Sequence, residues 1–203
     1  LTSALWHAHT GALIKLFPNE SRFESSPFAP DGSFLVLGAA NPRRVLFIDS
    51  DDASTLKHLD LQSVQRVFPT LSPDGRNLLV EVKDKQTALI RLDDMQTQWT
   101  FPGVQPRFFP DAQTVVLFTG IEDKDTQLRV VDAASGRELR SLRLEHEPIA
   151  RGGSTSSILS PSPDGSVLAH LTVSGAIRLL DSRDLTTLGS LAGLPPRIGG
   201  IYN

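Results

Sequence analysis

Apolar residues along this chain fall in runs of three to five, rich in Val, Ile and Leu, separated by short stretches of Pro, Gly, Asp and Asn. No segment sustains the three-to-four-residue apolar spacing of a surface helix. Short apolar bursts bounded by turn residues predict strands instead. Each burst belongs to a larger unit. One phrase recurs four times: Phe28-Ala29-Pro30-Asp31-Gly32, Leu71-Ser72-Pro73-Asp74-Gly75, Phe109-Pro110-Asp111-Ala112 and Pro161-Ser162-Pro163-Asp164-Gly165. The Asp-to-Asp steps are about 43, 37 and 53 residues, the last carrying an insertion.

The same order of events follows each phrase. Four residues beyond the Asp stand Leu35, Leu78, Val115 and Leu168. A polar turn leads to a second apolar run ending in Asp: Val45–Asp49, Ala88–Asp93, Leu128–Asp132 and Ile177–Asp181. A small turn then opens a weaker amphipathic run: Thr55–Leu61, Thr97–Phe101, Leu139–Leu144 and Thr187–Leu191. Pro presets φ, Asp bonds the backbone ahead and Gly accepts positive φ, so the phrase reads as a hairpin turn between first and second strands. Ala112 stands where Gly is expected; a left-handed Ala there costs about 1–2 kcal/mol unless the turn changes.

A strand unit repeated at about 40–45 residues predicts a β-propeller, one repeat per blade. A sandwich uses similar strands but does not require one phrase at blade length. The expected fold is all-β, with four-stranded antiparallel blades: about four complete blades plus partial blades at both ends. Residues 1–17 supply the last two strands of one blade. Residues 23–62, 64–103, 104–145 and 156–194 make four more, and 195–203 open another. Such a count does not obviously close a ring, so the expectation is a segment of a longer chain.

The stretch Thr126-Gln127-Leu128-Arg129-Val130-Val131-Asp132-Ala133-Ala134-Ser135-Gly136-Arg137-Glu138-Leu139 resembles the WD-repeat propeller family in a divergent, bacterial form. It is similar to that family's third strand, tight turn and start of its fourth strand. Ala4–Leu13 resembles the same pair, with His7 for the usual Asp, and Ala176–Asp181 is a third match. The Gly-His pair that opens many such repeats is missing, and the Trp of the Trp-Asp pair survives only as Trp6. Ile48, Leu92, Val131 and Leu180 take its place, so the resemblance implies the blades without the family's buried polar network. The Pro-Asp-Gly turns are also similar to those of TolB-like propellers and of prolyl-oligopeptidase-type propeller domains.

Composition narrows the function. The 203 residues are 39% hydrophobic with a formal net charge of −3. No basic excess or stripe marks a nucleic-acid binder. There is no cysteine, which removes disulfides, thiolate metal sites and a cysteine nucleophile. No apolar run reaches the roughly 18 residues of a membrane span, and no membrane partner is expected. Compartment is not legible, since a cysteine-free chain suits cytosol and periplasm alike, with the expectation leaning to the cytoplasm. No cofactor or metal is expected. His7 and His9, two apart and so expected on one face of a strand, and Asp123 and Asp125 are short of a full ligand set. Arg151-Gly152-Gly153-Ser154 lacks the helix and Lys of a phosphate cradle. Asp49, Asp93, Asp132 and Asp181 recur in every blade, which one catalytic site does not need, and read as caps for the next turn. Asn19-Glu20-Ser21 fits a glycosylation acceptor by three residues only.

Function is then expected in the loops between second and third strands and between blades, Pro18–Glu24, Pro102–Pro106 and Glu145–Ser157 among the latter, on the face opposite the Pro-Asp-Gly turns. The candidate partner-binding residues are Arg43 and Arg44 in Gly38–Arg44, Lys83 and Lys85 in Val82–Thr87, Glu122 and Lys124 in Thr119–Thr126, and Arg151 in Glu145–Ser157. The expectation is a non-catalytic scaffold for a protein or peptide partner. The alternatives are an accessory or gating propeller of a larger enzyme, and a metal-dependent propeller hydrolase.

Overall fold

A computed structural model describes residues 2–18, 28–40, 43–61, 69–120, 126–144, 158–172 and 175–191. Their regular structure is antiparallel sheet, apart from one 3-10 turn at Lys83–Lys85. Strands β1 (Thr2–Trp6) and β2 (Leu13–Pro18) form a half-blade. The first blade holds β3 (Phe34–Ala40), β4 (Arg43–Asp49) and β5 (Thr55–Asp60), with Phe28 bridging to Leu35 where its opening strand is expected. The second is β6 (Thr70–Leu71), β7 (Asn77–Val82), β8 (Gln86–Arg91) and β9 (Gln96–Pro102). The third is β10 (Val104–Phe108), β11 (Thr114–Thr119), β12 (Gln127–Asp132) and β13 (Glu138–Arg143). The fourth is β14 (Ile158–Pro161), β15 (Val167–Leu171), β16 (Ile177–Asp181) and β17 (Thr187–Leu191). Residues 23–27 and 195–203, assigned above to blade openings, lie outside the described residues.

Every sheet runs in chain order, and the opening strand β10 approaches both β6 and β14. The sheets therefore converge on their first strands and splay outward, as propeller blades do. Side-chain alternation explains the stack. On β3, Leu35 and Leu37 pack toward Leu5 and Phe17 of the half-blade, while Val36 packs toward Leu78 and Val80 of the second blade. On β7, Leu79 turns the other way, to Val115 and Leu117 of the third. Val116 and Phe118 then meet Leu168 of the fourth. Central strands buried on both faces read as continuous apolar runs, which is why Leu78-Leu79-Val80 and Val115–Phe118 show no alternation in the sequence.

Both turn types repeat down to single hydrogen bonds. In the Pro-Asp turns, Gly32, Gly75, Ala112 and Gly165 each donate their N–H to the carbonyl three residues back, at 2.8–3.0 Å. Oδ1 of Asp31, Asp74, Asp111 and Asp164 accepts the N–H two residues on. Ala112 keeps the left-handed turn, with φ 58°. In the turns between third and fourth strands, the left-handed residue is Gly11, Ala53, Met95, Gly136 or Leu185. A bulge precedes each, at Leu5/Trp6, Phe47/Ile48, Leu89/Ile90, Val130/Val131 and Leu179/Leu180.

That register corrects the reading of the second blade. Its third strand stops at Arg91, so Arg91, not Asp93, holds the position of Asp49, Asp132 and Asp181. Leu92 donates its N–H to Arg76, as Ser50 does to Ser33, Ala133 to Gln113 and Ser182 to Ser166. The apolar residue equivalent to Ile48, Val131 and Leu180 is therefore Ile90 rather than Leu92. Asp49, Asp132 and Asp181 do cap the following turn; in the second blade Asp94 accepts from the Gln96 N–H and pairs with Arg91. Leu92-Asp93 imitates the strand ending because a buried turn residue happens to precede an acid.

Three further expectations shift. Arg43 and Arg44 are strand residues, paired in register with Ala40 and Ala39. The expected Pro102–Pro106 loop shrinks to Gly103 between β9 and β10. A Cβ on Gly103 would sit 2.2 Å from Leu117 Cδ1, so only glycine fits this junction. His7 and His9 lie in the turn after β1, not along one strand face.

Candidate functional site

The two ends of the blades differ chemically. At one end, the Pro-Asp turns and the third-to-fourth-strand turns are tied together in all four blades by the N–H bonds of Ser50, Leu92, Ala133 and Ser182. Side chains reinforce the tie, with the Ser50 and Ser182 hydroxyls donating to the Gly32 and Gly165 carbonyls. Backbone donors and aspartates there are largely spent on the fold. Asp164 is pushed down to about 2 by its bonds from the Ser162 hydroxyl and from Ser166. Asp181 is likewise held at about 2 by the Arg183 side chain.

The other end carries the sequence-derived candidates. Arg43 is exposed where β4 begins. Lys83 and Lys85 are exposed in the 3-10 turn joining β7 to β8, where Asp84 and Lys85 are both left-handed. Gly103 donates its N–H to the Lys85 carbonyl at 2.7 Å, and the Thr87 hydroxyl donates to the Gly103 carbonyl at 2.9 Å. This hairpin end is thus fastened to the junction leading into the third blade. Glu122, Lys124 and Arg151 lie outside the described residues, as do Asp123, Asp125, the Arg151–Ser154 run and Asn19–Ser21.

Arg44 parts company with Arg43. Alternation on β4 turns it toward the half-blade, into a cleft of about 390 Å³ lined by Lys15, Leu16, Phe17, Arg44, Leu46, Ile48 and Thr55. Lys15 Nζ donates to the Ala53 carbonyl at 2.7 Å and lies 5.5 Å from the Phe17 ring centre. Arg44 Nε is buried without a hydrogen-bond partner among the described residues. Asp60 faces Arg44 in the strand register, but its carboxylate leans to His58 at 3.7 Å. Lys15 escaped the sequence reading; its position four residues past the left-handed Gly11 was the available signal.

A second cleft, of about 350 Å³, opens between the third and fourth blades at the turn end, lined by Phe109, Asp111, Thr114, Arg140, Asp164, Gly165, Ser182 and Arg183. Burial pulls the Arg140 guanidinium below its usual value, against the opposing charges of Asp111, Asp181 and Asp184. Its acids and bases are mixed, unlike the first cleft. Among the described residues no group of three or more His, Asp or Glu is placed to hold a metal. No described helix is long and apolar enough to cross a membrane.

No family model matches the sequence, and no curated protein does. Among solved structures, a chain of the Kuenenia stuttgartiensis hydrazine synthase superposes with a TM-score of 0.70 at 17% identity. The match covers 89% of this chain and 57% of the other, so this chain spans little more than half of its structural neighbour. At that identity the likeness is one of fold.

Proposed function

We propose that this propeller segment is a non-catalytic binding platform for a protein or peptide, working through the end that carries the second-to-third-strand connections. One observation carries the reading. The turns at the opposite end are locked by the same hydrogen bonds in every blade, whereas this end differs from blade to blade and presents exposed cations at Arg43, Lys83 and Lys85. Variable, charged connections on a rigid scaffold are where recognition is built. The WD-repeat resemblance points the same way, since such blades commonly serve as docking surfaces.

The test is charge reversal. The combined Arg43→Glu, Lys83→Glu and Lys85→Glu variant should lose an identified partner while its unfolding midpoint stays near that of the unaltered chain. Arg137→Glu, at the opposite end, should not. Equal loss in both variants would remove the reading.

A second reading has its own support. The structural neighbour belongs to an enzyme and is longer than this chain, which fits an accessory or gating propeller within a larger catalytic protein. A catalytic domain in the same reading frame would favour it.

A further inference from the structure

The cleft between the half-blade and the first blade holds a guanidinium, that of Arg44, whose buried Nε has no hydrogen-bond partner among the described residues. Its floor is apolar: Phe17, Leu46 and Ile48 are buried. Its charged lining is Lys15 and Arg44, with no carboxylate among the lining residues. Cross-strand from Arg44 is Ala39, too small to fill the space beside a guanidinium. Lys15 already serves the fold as Trp99 and Lys57 do, reaching the Ala53 carbonyl at 2.7 Å, so the unused group in this cleft is the Arg44 guanidinium.

A buried donor without an acceptor weakens the fold. Burying a charged group without a partner costs free energy, so an apolar side chain of similar length at this position should not lower stability. Stability therefore gives no reason for Arg44 Nε to be where it is. A guanidinium matches a carboxylate with two parallel N–H bonds, and the aliphatic walls accept a branched side chain beside it.

Resting on the binding-platform reading, we propose that this cleft is its specificity pocket, and that it takes an extended peptide segment in which an acidic residue lies beside an aliphatic one. The carboxylate pairs with Arg44, Lys15 adds a second positive charge, and the aliphatic side chain lies on Leu16, Leu46 and Ile48.

The intact chain is titrated, by fluorescence anisotropy, with a fluorescein-labelled peptide of alternating Glu and Leu and with Gln/Leu and Lys/Leu counterparts. The Glu/Leu peptide should bind at least roughly tenfold tighter than the Gln/Leu peptide, and added salt should weaken it. Arg44→Met should lose roughly tenfold or more of that affinity while its thermal midpoint stays the same or rises. Should Met not be tolerated, Arg44→Gln gives the same comparison. Equal binding of the Glu and Gln peptides, no binding of either, or unchanged affinity in the Arg44 variants overturns the proposal. An identified partner still held by Arg44→Met but lost by the Arg43, Lys83 and Lys85 reversal would sink this pocket and leave the platform reading standing. Loss of neither would end both.

Discussion

The indole N–H of Trp99 donates to the main-chain carbonyl of Ala133 at 2.8 Å, tying the outer strand of the second blade to a turn of the third. Trp99 stands opposite Leu89 in the register, just before the bulge. The same register position is Lys15 opposite Leu5, Lys57 opposite Phe47, Arg140 opposite Val130 and Gly189 opposite Leu179. Lys15 reaches the Ala53 carbonyl at 2.7 Å and Lys57 the Leu92 carbonyl at 3.4 Å. Leu92 and Ala133 are equivalent turn residues. In the half-blade and the first two blades this position thus sends a donor into the next blade, whereas Arg140 Nε is buried without a hydrogen-bond partner among the described residues and Gly189 has no side chain. Trp99→Phe keeps an aromatic ring, though a smaller one, and removes the donor, leaving a part-buried carbonyl unpaired. A loss of about 1–2 kcal/mol in chemical denaturation, with the denaturant slope unchanged, is expected.

Gly136 is the partner surface of that ring. A Cβ built there would lie 2.8 Å from Trp99 Cγ, and its φ is +68°. The equivalent positions Ala53, Met95 and Leu185 hold side chains in the left-handed region, so backbone strain alone does not demand glycine. Gly136→Ala should cost roughly 2 kcal/mol or more, combining about 1–2 kcal/mol of left-handed strain with displacement of the ring. Pairing it with Trp99→Leu should recover the ring's share. A strictly additive double-mutant cycle would show that the two residues do not compete for space.

The repeat was legible because turn chemistry is local. Pro-Asp-Gly fixes its own conformation, and the apolar residue four beyond the Asp is buried in all four blades: Leu35, Leu78, Val115 and Leu168. Register was less legible. Leu92-Asp93 and Val131-Asp132 look alike as text, and only hydrogen bonding separates a turn from a strand end. Arg43 and Arg44 are adjacent in sequence, yet strand alternation sends one to solvent and the other into a cleft. Lys15 joins Arg44 from a different sheet, a pairing that spacing along the chain does not encode. Trp6 is 56% exposed although its equivalents Ile48, Ile90, Val131 and Leu180 are buried; among the described residues nothing packs on that face of the half-blade.

Ala112 occupies the left-handed place that Gly32, Gly75 and Gly165 fill in the other Pro-Asp turns, with φ 58° and the same hydrogen bond to Phe109. Ala112→Gly relieves about 1–2 kcal/mol of strain. It returns about 0.4–1 kcal/mol to the unfolded chain as entropy. A net gain of about 0.5–1 kcal/mol is expected in thermal or urea unfolding. Destabilisation would mean that the alanine methyl makes a contact worth more than the strain.

His170 gives the fold a pH limit. It is fully buried, with its ring centre 5.5 Å from that of Phe118, between the third and fourth blades. Burial pushes the imidazole down to about 4 from 6.5, and the charge of Arg178, opposite it in the register, adds to the effect. The unfolded chain thus takes up a proton near pH 6.5 that the folded chain resists until about pH 4. Between those values the unfolded state binds more protons, so stability rises with pH. The contribution is complete above the unfolded value and is lost as pH falls toward the folded one, on the order of 3 kcal/mol across the window. The depressed carboxyls of Asp164 and Asp181 act lower, between about 3.8 and 2, so they leave this window clear. Urea midpoints measured from pH 7.5 to 4.5 should fall steeply for the unaltered chain. His170→Leu should flatten the profile and narrow its deficit as the solution is acidified. Parallel profiles for the two chains would mean that the His170 proton is not what limits the fold in mild acid.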